Sequence, residues 1–148
     1  MKVIELRRII ALLACALVST PTLAQEKKIY TIGVTKIATH AALDADEKGF
    51  EAGLASVGFK DGVNVRYLRM NAEGDLAKAQ AIAKQFSDEK VSLIHSIATP
   101  TTQAVVKLHK TIPVVFSSIT DPVSAGIVPK DSAPGKKTGT NLTGVSDQ

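Results

Sequence analysis

Apolar and polar positions alternate in two different rhythms along the chain, and the rhythms take turns. Ile29-Tyr30-Thr31-Ile32-Gly33-Val34-Thr35 is a short run rich in β-branched residues and predicts a strand. Leu43, Phe50, Leu54 and Val57 then recur at helical spacing, with Glu47, Lys48 and Glu51 expected towards water and Gly58 expected to end the helix. Asp61-Gly62 predicts a turn, and Val63 to Arg69 a second strand. Gly74-Asp75 opens a second helix, with Asp75 as its cap and Leu76, Ala79, Ile82, Ala83 and Phe86 as its buried stripe. Val91 to Ala98 is an apolar third strand of the kind found where both sheet faces are covered. Thr99-Pro100 starts a third helix, with Ala104, Val105 and Leu108 facing inward.

A fourth strand follows at Ile112-Pro113-Val114-Val115-Phe116, and a weaker fifth at Asn141-Leu142-Thr143-Gly144-Val145. Lys130 to Thr138 reads as an exposed loop between them. Strands separated by helices predict an α/β fold: an open, mostly parallel sheet flanked by helices. The sequence stops directly after the fifth strand with no closing helix, which predicts a fragment of a longer chain.

The first 24 residues belong to a different pattern. Lys2, Arg7 and Arg8 lead into the uncharged apolar run Ile9 to Val18, and Thr22-Leu23-Ala24 places small residues where a signal peptidase reads them. This predicts a cleaved export signal over residues 1–24, a periplasmic mature chain starting at Gln25, and one lobe over 25–148. An uncleaved anchor is disfavoured, because the run falls short of the ~20 residues a bilayer requires. A lipoprotein signal ending at Cys15 would leave only Ile9 to Ala14 as its apolar core.

Composition narrows the function. Lys2, Arg7 and Arg8 against Glu5 account for half of the formal +4 charge, so the mature part is too weakly basic to argue for nucleic acid or an anionic membrane surface. The only cysteine, Cys15, lies in the signal, so no disulfide or thiol nucleophile is expected in the mature chain. Neither a phosphate loop nor a nucleophile elbow is present, and His40, His95 and His109 have no ligand-spaced neighbours, so no cofactor, metal or catalytic site is expected. His95 is expected to be a packed core residue, and His109 to suit the negative end of its helix. Lys107 to Lys110 is expected to be a solvated helix end.

In open parallel sheets ligands lie beyond the carboxyl ends of the strands. Three hydroxyl-rich segments meet that condition: Thr35 to His40, Ala98 to Gln103, and Ser117 to Pro122. The second is the sharpest. A helix start offers unpaired N–H groups and about half a positive charge to an anion, and Thr99, Thr101 and Thr102 add hydroxyls; Thr99 could equally serve only as the cap. Asp121 could meet a ligand ammonium, or merely close an Asx turn before Pro122. His40 could reach the cleft, or simply sit in the first turn of its helix.

Ile32-Gly33-Val34-Thr35, Asn71-Ala72-Glu73-Gly74-Asp75, Ile97-Ala98-Thr99-Pro100-Thr101-Thr102-Gln103, Pro113-Val114-Val115-Phe116-Ser117 with Thr120-Asp121-Pro122, and Asn141-Leu142-Thr143-Gly144-Val145 form an ordered set of blocks. Together they resemble the ABC transporter substrate-binding family whose better-understood members bind aromatic amino acids such as tryptophan and tyrosine. The resemblance implies the first lobe of a type I periplasmic-binding fold, with the second lobe missing. It also implies that Thr35, His40 and the other two loops line the ligand wall. Thr99, Thr101 and Thr102 would hold a ligand carboxylate, while Ser117, Ser118, Thr120 and Asp121 would meet its polar remainder. The partners implied are a small solute, such as an aromatic amino acid, and an ABC permease in the inner membrane. Rival readings are a flavodoxin-like small enzyme, a receiver-like domain, and a non-functional truncated remnant.

Overall fold

The computed structural model describes residues 28–147; the expected signal segment lies outside them. Five strands form one sheet: β1 (Tyr30–Lys36), β2 (Val65–Asn71), β3 (Leu93–Ile97), β4 (Val114–Ile119) and β5 (Leu142–Ser146). Three helices connect them: α1 (Ala41–Ser56), α2 (Leu76–Asp88) and α3 (Thr99–Leu108). The sheet order is β2-β1-β3-β4-β5, and every neighbouring pair is parallel. The strand order therefore reverses beside β1, where β2 lies on one side and β3 on the other.

Alternation along the strands sends side chains to two different layers. Ile32 and Val34 of β1, Val65 and Tyr67 of β2, and Ile97 of β3 pack beneath Leu43, Phe50 and Leu54 of α1. On the opposite face, Ala79, Ile82, Ala83 and Phe86 of α2 and Val105 of α3 cover Ile94 and Val114. Gly33 makes that second layer possible. A Cβ there would come within 2.9 Å of the Phe86 ring, so the bare backbone is what lets α2 approach β1. Gly144 plays the same part on β5, where a Cβ would sit 2.2 Å from the Phe116 carbonyl oxygen.

The helical stripes fray at their ends. Val57, Leu76 and Leu108, expected to be buried, are exposed: Leu76 is the first residue of α2, Leu108 the last of α3, and Val57 lies one past the end of α1. Glu47 and Glu51 depart from expectation the other way: both turn back to the sheet and pair with cations on β1 and β2. Asp75 caps α2 as expected, accepting from the N–H groups of Ala77 and Lys78. The first three strands each begin one or two residues later than expected. β4 begins after Pro113 and runs three residues beyond Phe116 through an irregularity at Ser117 and Ser118.

Candidate functional site

The carboxyl ends of the strands fall into one row. Asn71 of β2 lies beside Lys36 of β1, Lys36 beside Ile97 of β3, and Ile97 beside Ser117 of β4. The three hydroxyl-rich loops therefore emerge side by side along a single edge of the sheet. Their residues differ in depth and in what already engages them.

Thr35 lies one position below the rim on the α2 and α3 face. It is 1% exposed, and its hydroxyl has no hydrogen-bond partner. His40 does not reach across the rim. Its Nδ1 accepts from the Ala42 N–H at 3.2 Å and caps α1, the first-turn placement weighed from the sequence.

On the third loop, the Ser117 hydroxyl lies 3.1 Å from His95 Nε2, below the rim. Ser118 adopts φ 53° in the irregular stretch of β4, and its hydroxyl donates to Asp46 of α1 at 2.5 Å. Thr120 is exposed. Asp121 is the centre of an Asx turn: Oδ1 accepts from the N–H groups of Val123 and Ser124, and Oδ2 from the Ser124 hydroxyl. Those bonds, led by the one from the Ser124 hydroxyl, hold its carboxyl below the usual carboxylate range.

The start of α3 is organised differently from the other two helix starts. Its N-cap is Ala98, not Thr99, and no side chain caps it. Ala98 has φ 77° and ψ 153°, a region that an L-residue adopts only at a cost of about 1–3 kcal/mol. The geometry is held from the neighbouring strand, because the Ala98 N–H donates to the Ser117 carbonyl at 3.0 Å. The first bond that closes the helix is Thr102 N–H to Ala98 C=O, and Pro100 has no N–H. Among the described residues, the N–H groups of Thr99 and Thr101 find no acceptor.

The hydroxyls counted as donors there are committed elsewhere. Thr101 Oγ1 donates to the carbonyls of Ile97 and Ala98, at 2.5 and 3.0 Å. Thr102 Oγ1 contacts Ser96 Oγ at 2.8 Å and the Ala98 carbonyl at 2.9 Å. Both side chains are buried, so what this helix start offers to the rim is backbone N–H and dipole.

A family model for the ABC transporter substrate binding protein matches residues 31–148. The chain belongs to that family. It is 39% identical over 121 residues to a tyrosine-binding protein of Clostridioides difficile strain R20291, a match covering 82% of this chain and 34% of the relative. A conserved domain protein of Vibrio cholerae superposes with TM-score 0.76 at 42% identity, over 81% of this chain and 39% of that one. The ABC domain in complex with L-Trp from Streptococcus pneumonia superposes with TM-score 0.72 at 40% identity, over 80% and 39%. The chain thus spans between a third and two-fifths of the length of these relatives.

Sequence reasoning missed the charges behind this rim. Lys36 Nζ lies 2.6 Å from Asp44 and 2.7 Å from Glu47, pinning the end of β1 to the first two turns of α1. Desolvation opposes its charge, but these two carboxylates overcome it and hold the lysine above its ordinary 10.5. Arg69 is forked onto Glu51 at 2.7 and 2.8 Å and also reaches Asp61. The available signal was a cation near the end of each strand opposite acids four residues apart on α1. His95 is packed as expected, stacked on Phe50 with ring centroids 4.1 Å apart. His109 differs from the solvated end expected of it: it is buried, with Nε2 2.8 Å from the Ala83 carbonyl on α2.

Proposed function

We propose that this chain is the ligand-gripping lobe of an extracytoplasmic receptor that delivers an amino acid to an ABC permease, and that it grips the amino acid by its carboxylate. One observation carries the reading: α3 begins at the sheet's carboxyl edge with no side-chain cap and with two N–H groups unmatched. A carboxylate placed there would accept from Thr99 and Thr101 and meet the positive end of the helix dipole. The strained Ala98 supports the same reading, since strain held in place by a neighbouring strand is characteristic of ligand clamps. The ligands named for two of the relatives, tyrosine and L-Trp, favour an aromatic amino acid. Export to the periplasm, with cleavage after Ala24, belongs to the same proposal and rests on the layout of residues 1–24.

Amide NMR titration tests it. L-tryptophan should shift the Thr99 and Thr101 amides in a saturable way. Tryptamine, which has the same ring and ammonium but no carboxylate, should leave them in place. Equal responses to both compounds, or shifts confined to other loops, would remove the carboxylate grip.

A further inference from the structure

The small overall charge conceals an uneven distribution. At the carboxyl edge stand Asp44, Asp46, Glu73, Asp75 and Asp121, with Lys36 and Lys78 paired to Asp44 and Glu73. At the opposite, amino edge, where strands begin and helices end, stand the exposed lysines Lys28, Lys60, Lys90, Lys107 and Lys110. The acids at that edge are each matched to another cation: Asp61 to Arg69, Asp88 to Lys84, Glu89 to Arg66. Among the described residues, none of the five lysines has a carboxylate partner.

Exposed apolar side chains gather at the same edge. Of the seven large hydrophobic residues exposed among the described residues, Ile29, Val57, Phe59, Val63 and Leu108 lie there, and Leu76 and Val145 do not. Ile29 on one side, and Val57, Phe59 and Val63 on the other, belong to two adjoining segments. The Phe59 ring meets Tyr30 edge-on with centroids 5.7 Å apart, and Lys28 Nζ lies 4.8 Å above the Tyr30 ring. Tyr30 N–H donates to the Asn64 carbonyl, and Val63 N–H to that of Lys60. Helix dipoles explain lysines near the ends of α2 and α3. They do not explain Lys28 and Lys60, nor the apolar side chains between them.

We infer that this amino-edge face rests on an anionic phospholipid surface, its ammonium groups on the lipid phosphates and Ile29, Phe59 and Val63 in the interfacial layer. Interleaved lysine and apolar side chains are what such a surface selects. A nucleic acid would satisfy the lysines and leave the apolar groups without contacts. The face lies at the far edge from the ligand grip, so the two proposals stand or fall separately.

Co-sedimentation with lipid vesicles tests it, using the full chain recovered after export. Wild type and variants are prepared alike, so any contribution of the residues preceding Lys28 is common to all of them. Partition onto vesicles of mixed phosphatidylglycerol and phosphatidylcholine should exceed that onto pure phosphatidylcholine by at least about ten-fold and fall with added salt. Lys28→Glu with Lys60→Glu should lower it at least about ten-fold, since each lysine near such a surface contributes roughly five-fold. Val63→Ser should lower it a few-fold while leaving the salt dependence intact. Leu76→Ser, at the other edge, should do nothing. Thermal unfolding confirms that each variant is folded. Equal partition onto both vesicle types, no binding at all, or indifference to the lysine reversal overturns the inference. So does a dimer in sedimentation equilibrium that Val63→Ser dissociates, which would make the face a contact between copies.

Discussion

Acidifying the protein should unload one histidine's worth of stability, with a sign that follows from its burial. His95 is 1% exposed, stacked on Phe50 and bonded to Ser117, with no partner for Nδ1. Burial pushes its pKa from 6.5 down to about 4, with Asp46 opposing the shift only partly. Between those values the unfolded chain binds a proton that the folded chain refuses. Stability is therefore full above pH 6.5 and declines as pH falls towards 4, below which this group adds no further slope. Linkage with those two values gives a loss of about 2 kcal/mol between pH 7 and 5, and roughly 3 kcal/mol across the whole window. The assay is urea unfolding at half-unit pH steps on wild type and on His95→Gln. Glutamine can keep a bond to Ser117 but does not titrate. Subtracting the curves removes every other ionisable group common to both. A flat difference between pH 7 and 5 would refute the assignment of that stability to a neutral, desolvated imidazole.

Two further substitutions follow from backbone geometry. Gly144→Ala sets a methyl against the Phe116 carbonyl, which cannot rotate away, and should cost roughly 3 kcal/mol in chemical unfolding; a loss under about 0.5 kcal/mol would mean that β5 can shift freely along β4. Ala98→Gly should raise the thermal midpoint or leave it level, against the usual loss for this exchange, because glycine reaches φ 77° without strain and recovers about 1 kcal/mol; a clear drop in midpoint would show that Ala98 is not strained.

The strand and helix rhythm was readable because each element's apolar spacing reports its own burial, and the placement of the loops followed from the parallel order alone. Long-range pairing was not readable in that way. Glu47 and Glu51 occupy positions that face water on an isolated helix, and only Lys36 and Arg69, brought close by the sheet, turn them inward. Val57, Leu76 and Leu108 keep the helical period but sit at or just past a helix end. Thr101 and Thr102 looked like free donors because a tally of hydroxyls ignores what the helix places in reach: the carbonyls of residues three and four positions back. Ala98 carried no signal, since nothing in an alanine announces a positive φ. Asp75 was legible as a cap, and the Asx turn was one of the two readings open for Asp121, because their partners are two or three residues away.

The wholly parallel pairing also governs time. No strand meets its sheet neighbour through a hairpin: Tyr30 must find Val65, and Ile32 must find Leu93, each across an intervening crossover. Such distant closures make an assembly slow. A newly made chain of this kind therefore stays unfolded longer than one whose strands pair through hairpins.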